Sequence, residues 1–493
     1  MESLHPETNI KFLYPFNVKT NFGIYNFNVP EHEPIFKTVH WVINIDVSGS
    51  MMDSCKDGQT KINQIKHALK NMIKYFLELK TEQNINQYIT LIAFDNQIKL
   101  VSYNEEINEA YVKKFNKTLI KQFEPTGMTD IGIALDAASN IINGNKITQQ
   151  TDDIPETPCK TIHIFLTDGE ITKGEIEPDK LKSKITTDDN ISNVFIGFGK
   201  DHSGKLLEDL ADTKNGEYYF IESLEKAGMV YGEVIYNSLY EAFCNLTLTI
   251  ENGKFYNYKT NTWVETLEVG NIPYGAKKTW HIKTDNEFSK VKIIAGYESI
   301  LQKGVECHLS NINTEYPEKD TINKKVEKYK WRQETQELIA ETKKYIQLQS
   351  QNAYRQYYWI DSQLEVEEEQ PQEEQPQQNL ITKLDNFMLR LKSYIEKNNL
   401  QEDTFMKNLT DDIYVSIHSI TSDKGYLYLS ARQCSQGSQR AYNMTDYEEL
   451  INPNCNMNSG LSSYTQSYET SSSSVTTYST GKTSGLMRTI NTQ

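Results

Sequence analysis

HWVINIDVSGS, residues 40–50, sets the architecture. Trp41, Val42, Ile43 and Ile45 make a run that is apolar on both faces, as in a strand buried between two layers of helix. The run stops at Asp46 and a polar loop follows. From Ile62 the apolar residues recur at helical spacing through Ile65, Leu69, Met72, Ile73, Phe76 and Leu79, and YITLIAFD (88–95) then returns as a strand. Strand, helix and strand in this order make the unit of a parallel sheet covered on both faces. QIKLV (97–101) follows a two-residue turn at Asp95 and Asn96, which predicts one antiparallel edge hairpin. Helical patterns at 107–121 and 131–143 lead to the strand TIHIFLTD (161–168) and a short helix near 178–185. VFIGFG (194–199), a helix at 203–213, EYYFI (217–221) and a helix from 223 to about 241 complete the series. The expected fold over 37–241 is α/β, a doubly wound, mostly parallel six-stranded sheet of Rossmann-like type.

After Leu239 the pattern becomes alternation. LTLTIENGKFYNY, TWVETLEVG, KKTWHIKT and KVKIIAGYE read as short strands joined by Asn-Gly and Pro-Tyr-Gly turns, an antiparallel β-sandwich-like module over 242–317. Residues 1–36 also alternate but are too few to close a core, so they are expected to add strands to that module. A long helix is expected over 318–364, with Val326, Tyr329, Leu338, Tyr345, Ile346 and Leu348 on its stripe. EVEEEQPQEEQPQQ (365–378) carries six Glu and two Pro and reads as a linker. Leu380, Leu384, Phe387, Met388, Leu391 and Ile395 mark a second helix within a C-terminal region over 379–452, and the two stripes would pair as an α-helical hairpin. Between Ser459 and Thr480, 17 of 22 residues are Ser, Thr or Tyr, too polar a composition to offset ordering entropy, so 453–493 reads as a disordered tail.

Charge and cysteine content narrow the function. With 51 Lys and Arg against 67 Asp and Glu the net charge is -16 and no basic patch is segregated, so nucleic acid is not an expected partner. No apolar run approaches the ~18 residues of a membrane span and Met1 to Pro15 has no secretory character, which predicts a cytoplasmic protein without membrane insertion. Abundant Tyr, Asn, Ile and Lys suggest an AT-rich genome, of a protist or a large DNA virus, and a virion-associated location in the viral case. The cysteines at 55, 159, 244, 307, 434 and 455 form no C-x-x-C pair and are expected as free thiols.

The chemistry lies in three segments. Asp46-Val47-Ser48-Gly49-Ser50 stands at the carboxyl end of the first core strand, where open α/β sheets hold ligands. Gly127-Met128-Thr129-Asp130 opens a helix and Leu166-Thr167-Asp168-Gly169 ends another buried strand. Hydroxyls of Ser48, Ser50 and Thr129 with the carboxylates of Asp46 and Asp168, free of sulfur and imidazole, suit a hard octahedral cation, Mg²⁺ first and Mn²⁺ next. With so few charged ligands the ion keeps positive character and an open position for an outside carboxylate. No His or Lys adjoins the three clusters to serve as a general base, and Asp130 and Glu170 are the spare acids. Asp201, His202 and Ser203 lack the elbow of a hydrolytic triad and read as a polar loop, and His163 reads as a core residue.

VINIDVSGSM, GMTDIGIAL and IFLTDGE, in that order, resemble the von Willebrand factor A (VWA) domain and its metal-ion-dependent adhesion site (MIDAS). The resemblance covers about 37–240. It implies Asp46, Ser48, Ser50, Thr129 and Asp168 as the site, the hydroxyls binding metal directly and one or both aspartates acting through water. Many members show Gly-Gly-Thr where this chain has Gly127-Met128-Thr129, a change that keeps the hydroxyl and stiffens the loop. VFIGFGKDHSGKLLEDLADTKNGEYYFIES is similar to intracellular VWA proteins with a Vwaint-type region, as is YLYLSARQCSQGSQRAYN to the end of that region. No Cys/His framework for a RING finger accompanies them, so ligase activity is not implied. The expected function is a non-enzymatic, metal-dependent protein-protein interaction module that presents its cation to an Asp or Glu of a partner. The alternatives are a structural or virion-associated scaffold with little metal dependence and a metal-dependent hydrolase.

Overall fold

The computed structural model describes residues 6–14, 21–55, 58–149, 159–222, 224–299, 306–309, 313–315, 318, 321–361 and 374–440. The expected tail at 453–493 and positions 365–373 of the expected linker lie outside the described residues.

Two strands, β1 (Glu7–Phe12) and β2 (Phe22–Asn28), precede the α/β unit. That unit begins with β3 (Thr38–Asp46), α1 (Lys61–Gln83), β4 (Asn86–Phe94), β5 (Ile98–Glu106), α2 (Glu109–Lys117) and α3 (Ile131–Gln149). It continues with β6 (Cys159–Thr167), α4 (Pro178–Lys182), β7 (Ile191–Phe198), α5 (Gly204–Ala211), β8 (Gly216–Ile221) and α6 (Leu224–Leu239). The strands order β5-β4-β3-β6-β7-β8 and are parallel except for the antiparallel edge pair β4 and β5. β3 and β6 are neighbours, and the chain winds outward from them in opposite directions. The crevice between their carboxyl ends is therefore the topological switch point, where the two connections diverge and leave room for a ligand.

The double-sided burial of β3 follows from its residues. Trp41, Ile43 and Ile45 join the cluster under α1, where Trp41 stacks on Phe76 at 4.2 Å. Val42 faces the other way, into a cluster with Ile92, Ala138 and Ile142 beneath α3. Asn44 lies on that second face, where its Nδ2 donates to the carbonyl of Ala134 at 2.7 Å. α1 ends where Asn84 takes the left-handed conformation, φ 54°, a helix stop that asparagine tolerates.

α6 runs directly into β9 (Glu241–Glu251), followed by β10 (Lys254–Asn257), β11 (Thr262–Val264), β12 (Thr266–Pro273), β13 (Lys277–Lys283), β14 (Lys292–Ser299), β15 (Glu306–Leu309) and β16 (Asn313–Glu315). They form two sheets, β11-β10-β13-β2-β1-β16 and β12-β9-β14-β15. β1 pairs with β16 in parallel, so the module is not wholly antiparallel. Phe27, Trp280, Phe243 and Leu248 of this sandwich share one apolar cluster with Tyr236 and Leu239 of α6, with Tyr240 just after it and with β3. A buried ion pair, Lys160 to Glu241 at 2.6 Å, also joins β6 to β9.

The helical part keeps the expected hairpin, in which Glu341, Glu334 and Glu327 meet Lys383, Arg390 and Tyr394 in antiparallel order, and adds further helices to it. Among the described residues this part has four helices, α7 (Lys324–Asp361), α8 (Glu374–Lys397), α9 (Thr404–Ser419) and α10 (Gly425–Gly437). The apolar stripe of α8 packs with α9 residues Met406, Leu409, Ile413 and Ile417 and with Leu338 of α7. Positions 374–378, expected as linker, belong to α8; Pro376 sits in its first turn, where a missing N–H removes no intrahelical bond. α10 docks on the α/β unit, where Tyr426 donates to Glu208 at 3.0 Å and Tyr428 to Glu222 at 2.9 Å. Among the described residues no helix is long and apolar enough to cross a membrane.

Candidate metal centre

β3 and β6 carry Asp46 and Asp168 to the switch point. Asp46 is fully buried, and each of its carboxylate oxygens is held: Oδ1 accepts from the Ser48 amide at 2.8 Å and Oδ2 from the Thr167 hydroxyl at 2.5 Å. Burial pushes its carboxyl up to about 6, against the lowering effect of those hydrogen bonds. Asp168, also fully buried, accepts from the Ser50 hydroxyl on Oδ1 at 2.8 Å and from the Lys61 ammonium on Oδ2 at 2.8 Å. Ser48 Oγ and Ser50 Oγ are 3.1 Å apart.

Thr129 comes from the loop before α3, and two contacts place it. Its amide donates to the Thr172 hydroxyl at 2.8 Å, and its carbonyl accepts the amides of Thr172 and Lys173 at 3.1 and 3.2 Å, so the loop after Asp168 is stitched to the loop that carries Thr129. Gly127 has φ +69°, and a Cβ on it would lie 2.3 Å from Asn96 Oδ1, so only glycine fits that turn. A Cβ on Gly169 would stand 3.5 Å from Ser50 Oγ and 3.6 Å from Thr129 Oγ1. Both hydroxyls thus border one small cradle that a side chain would fill. Among the described residues the Thr129 hydroxyl takes no hydrogen bond, although Thr129 is buried.

The structure therefore brings four of the five sequence-nominated residues into one hydrogen-bonded cluster and sets the hydroxyl of the fifth beside it. Three hydroxyls and a carboxylate oxygen make an all-oxygen donor set that fits a hard divalent cation. Among the described residues no three His, Cys, Asp or Glu cluster as a metal site, so a cation here would depend on the hydroxyls. The Gly127-Met128-Thr129 departure is accommodated simply: Met128 is absent from the non-glycine residues with positive φ among those described, and its side chain projects into solvent.

Lys61 is the residue that sequence reasoning missed, and it corrects the reading that no Lys adjoins the site. It is remote from all three motifs but buried against Asp168. Burial pulls its ammonium down, yet the carboxylates of Asp168 and Asp201 outweigh that and raise it above the ordinary lysine range. A signal was available, because a lysine at the first position of a helix opposes the macrodipole and needs an anion to hold it. The other candidates resolve plainly. Asp130 caps α3 through Oδ1 to the Ile133 amide at 3.2 Å. His202 is locked between the Gly199 carbonyl and the Tyr218 hydroxyl, both at 2.8 Å, while Ser203 caps α5, so these residues form no triad.

Comparison with known proteins agrees with the fold. Residues 42–231 match the von Willebrand factor type A domain family. They are a VWA domain. Human inter-alpha-trypsin inhibitor heavy chain H3 is 27% identical over 210 residues, 41% of this chain and 21% of the relative. Human heavy chain H6 is 28% identical over 187 residues, 37% of this chain and 13% of the relative. The chain thus spans about a fifth or less of the length of these curated relatives. A solved von Willebrand factor type A protein from Catenulispora acidiphila is 17% identical, with a TM-score of 0.47 over 71% of this chain and 83% of that one. VWA domains commonly bind a divalent metal at the MIDAS and mediate protein interactions.

Proposed function

We propose that the VWA domain binds Mg²⁺ or Mn²⁺ through Asp46, Ser48, Ser50, Thr129 and Asp168 and uses it to engage an acidic side chain of a partner protein. One observation carries this reading: three hydroxyls and the Asp168 Oδ1 atom gather at the switch point beside only two buried carboxylates, one of them already paired with Lys61. The bound cation would supply an electropositive, open coordination position. The chain's own residues prepare it. The Ser48 amide and Thr167 hydroxyl fix Asp46, Ser50 and Lys61 orient Asp168, and the stitched loops hold Thr129. Met52, Met128 and Ile176, exposed by 56%, 55% and 70%, come from the loops that carry the site, so a partner with apolar residues beside its Asp or Glu fits that border.

Binding is favoured over hydrolysis by the state of the nearest groups. Lys61 is held protonated and Asp130 is spent as a helix cap, so neither serves as a general base. The test is thermal melting of the full chain in EDTA and in Mg²⁺. At a hundredfold excess over the dissociation constant, linkage stabilises the fold by about 2.7 kcal/mol, and Asp46→Asn should abolish the shift. An unchanged wild-type melt at millimolar metal refutes the reading. Pull-down with and without EDTA then separates the metal-dependent module from a scaffold, whose partners would persist in the chelator.

A further inference from the structure

Lys61 is 6% exposed and opens α1. What keeps a cation at that helix start is a cage of acids: its Nζ lies 2.8 Å from Asp168 Oδ2, 3.2 Å from Asp201 Oδ2 and 3.6 Å from Asp53 Oδ2. Asp53 and Asp201 are largely solvated, at 64% and 63% exposure, and water screens them; Asp168 is not exposed at all. The Lys61 to Asp168 contact is thus the strong one. It occupies Oδ2 and leaves Oδ1 facing the Ser50 hydroxyl.

We infer that Lys61 is a positioning residue of the metal centre, a resident cation that fixes Asp168 and limits how tightly the centre holds a divalent ion. This deepens the metal-binding reading above and rests on it. The reasoning is one of charge. Asp46 and Asp168 together with Lys61 carry a formal charge of minus one, so a bound dication leaves the centre at plus one. That surplus is what an outside carboxylate neutralises. Without Lys61 the dication and the two aspartates would balance internally, and the centre would hold its ion more tightly while attracting an acid less. Lys61 therefore shifts affinity away from the ion and toward the partner. Geometry acts in the same sense, because a carboxylate with one oxygen committed to an ammonium has only the other to offer.

The test compares wild type, Lys61→Met and Lys61→Arg as full chains, titrated with Mg²⁺ alone by calorimetry and melted in EDTA and in excess Mg²⁺. Removing a positive charge from beside a dication strengthens binding on the order of tenfold even at high effective dielectric, so Lys61→Met should bind Mg²⁺ about tenfold more tightly than wild type. In EDTA it should melt below wild type, since a buried carboxylate loses its counter-ion, and Mg²⁺ should close that gap. Lys61→Arg keeps the charge and should titrate within about threefold of wild type on the same electrostatic grounds. A merely structural lysine would yield weaker binding on replacement, never tighter. Wild-type affinity in Lys61→Met, a melting gap that persists in Mg²⁺, or a variant that folds under neither condition overturns the inference while the metal site stands. Absence of Mg²⁺ binding by wild type removes the metal reading and this inference with it.

Discussion

His163 should make the VWA domain acid-sensitive. It lies on β6, the strand that leads into Asp168, at 2% exposure between the rings of Phe165 and Phe195. Its Nδ1 is 3.0 Å from Asn193 Oδ1, and since Asn193 donates its own Nδ2 to the Thr186 carbonyl, Nδ1 is the protonated nitrogen. Among the described residues Nε2 is buried without a hydrogen-bond partner, so a second proton there would be left unsatisfied. Burial accordingly lowers the imidazole from 6.5 to about 4. A lowered histidine means that the unfolded chain binds the proton first. Stability is intact above pH 6.5, falls as the pH drops through that value, and stops falling near 4. Between pH 7 and pH 5 this one residue costs about 2 kcal/mol. His163→Asn keeps a donor at the Nδ1 position and cannot titrate, although the cavity it leaves lowers stability at pH 7. Urea denaturation followed by circular dichroism at both pH values, in EDTA, gives the double difference, in which groups of opposite sign such as Asp46 cancel. The gap between variant and wild type should close by about 2 kcal/mol on acidification. Parallel losses in the two proteins would refute the assignment of the proton deficit to His163.

Three further outcomes are expected. Thr129→Ala removes a hydroxyl that makes no protein hydrogen bond among the described residues, so the EDTA melting temperature should stay near wild type while the Mg²⁺-induced rise shrinks, both read in one differential scanning experiment. Gly127→Ala forces a Cβ against Asn96 and the Asp95 carboxylate at φ +69° and should cost about 1–3 kcal/mol in denaturant unfolding, together with loss of the metal response. Lys160→Met strands the buried carboxylate of Glu241 and should cost about 3–5 kcal/mol, most of it recovered when Glu241→Leu is added, so a double-mutant cycle by chemical denaturation measures the pair.

The amino-acid sequence by itself determined the VWA sheet, because each strand and each helix stripe of that unit is written in local periodicity. Trp41, Ile43 and Ile45 alternate with Val42 and Asn44, and the two sets lie on opposite faces of β3. The five candidate site residues were legible as types in the strand ends and loops at the ligand edge, since only a few positions in such a sheet can hold hydroxyls and carboxylates there. Their hydrogen bonds were not legible. Asp168 meets Ser50 and Lys61 across 118 and 107 residues, separations at which no local pattern speaks. The helices α9 and α10 escaped notice for a related reason: Asn408, Asp412, Ser416, Ser430, Arg432 and Gln436 are buried there, which breaks the apolar stripe that marks a helix. Asp412 is nonetheless satisfied, by Arg432 at 3.2 Å and Gln436 at 2.6 Å, both contributed by the neighbouring helix. Local periodicity reports burial only where burial is apolar. Where polar groups are buried, as in the helical unit and around Lys61, only the tertiary structure supplies the partner that makes the burial tolerable.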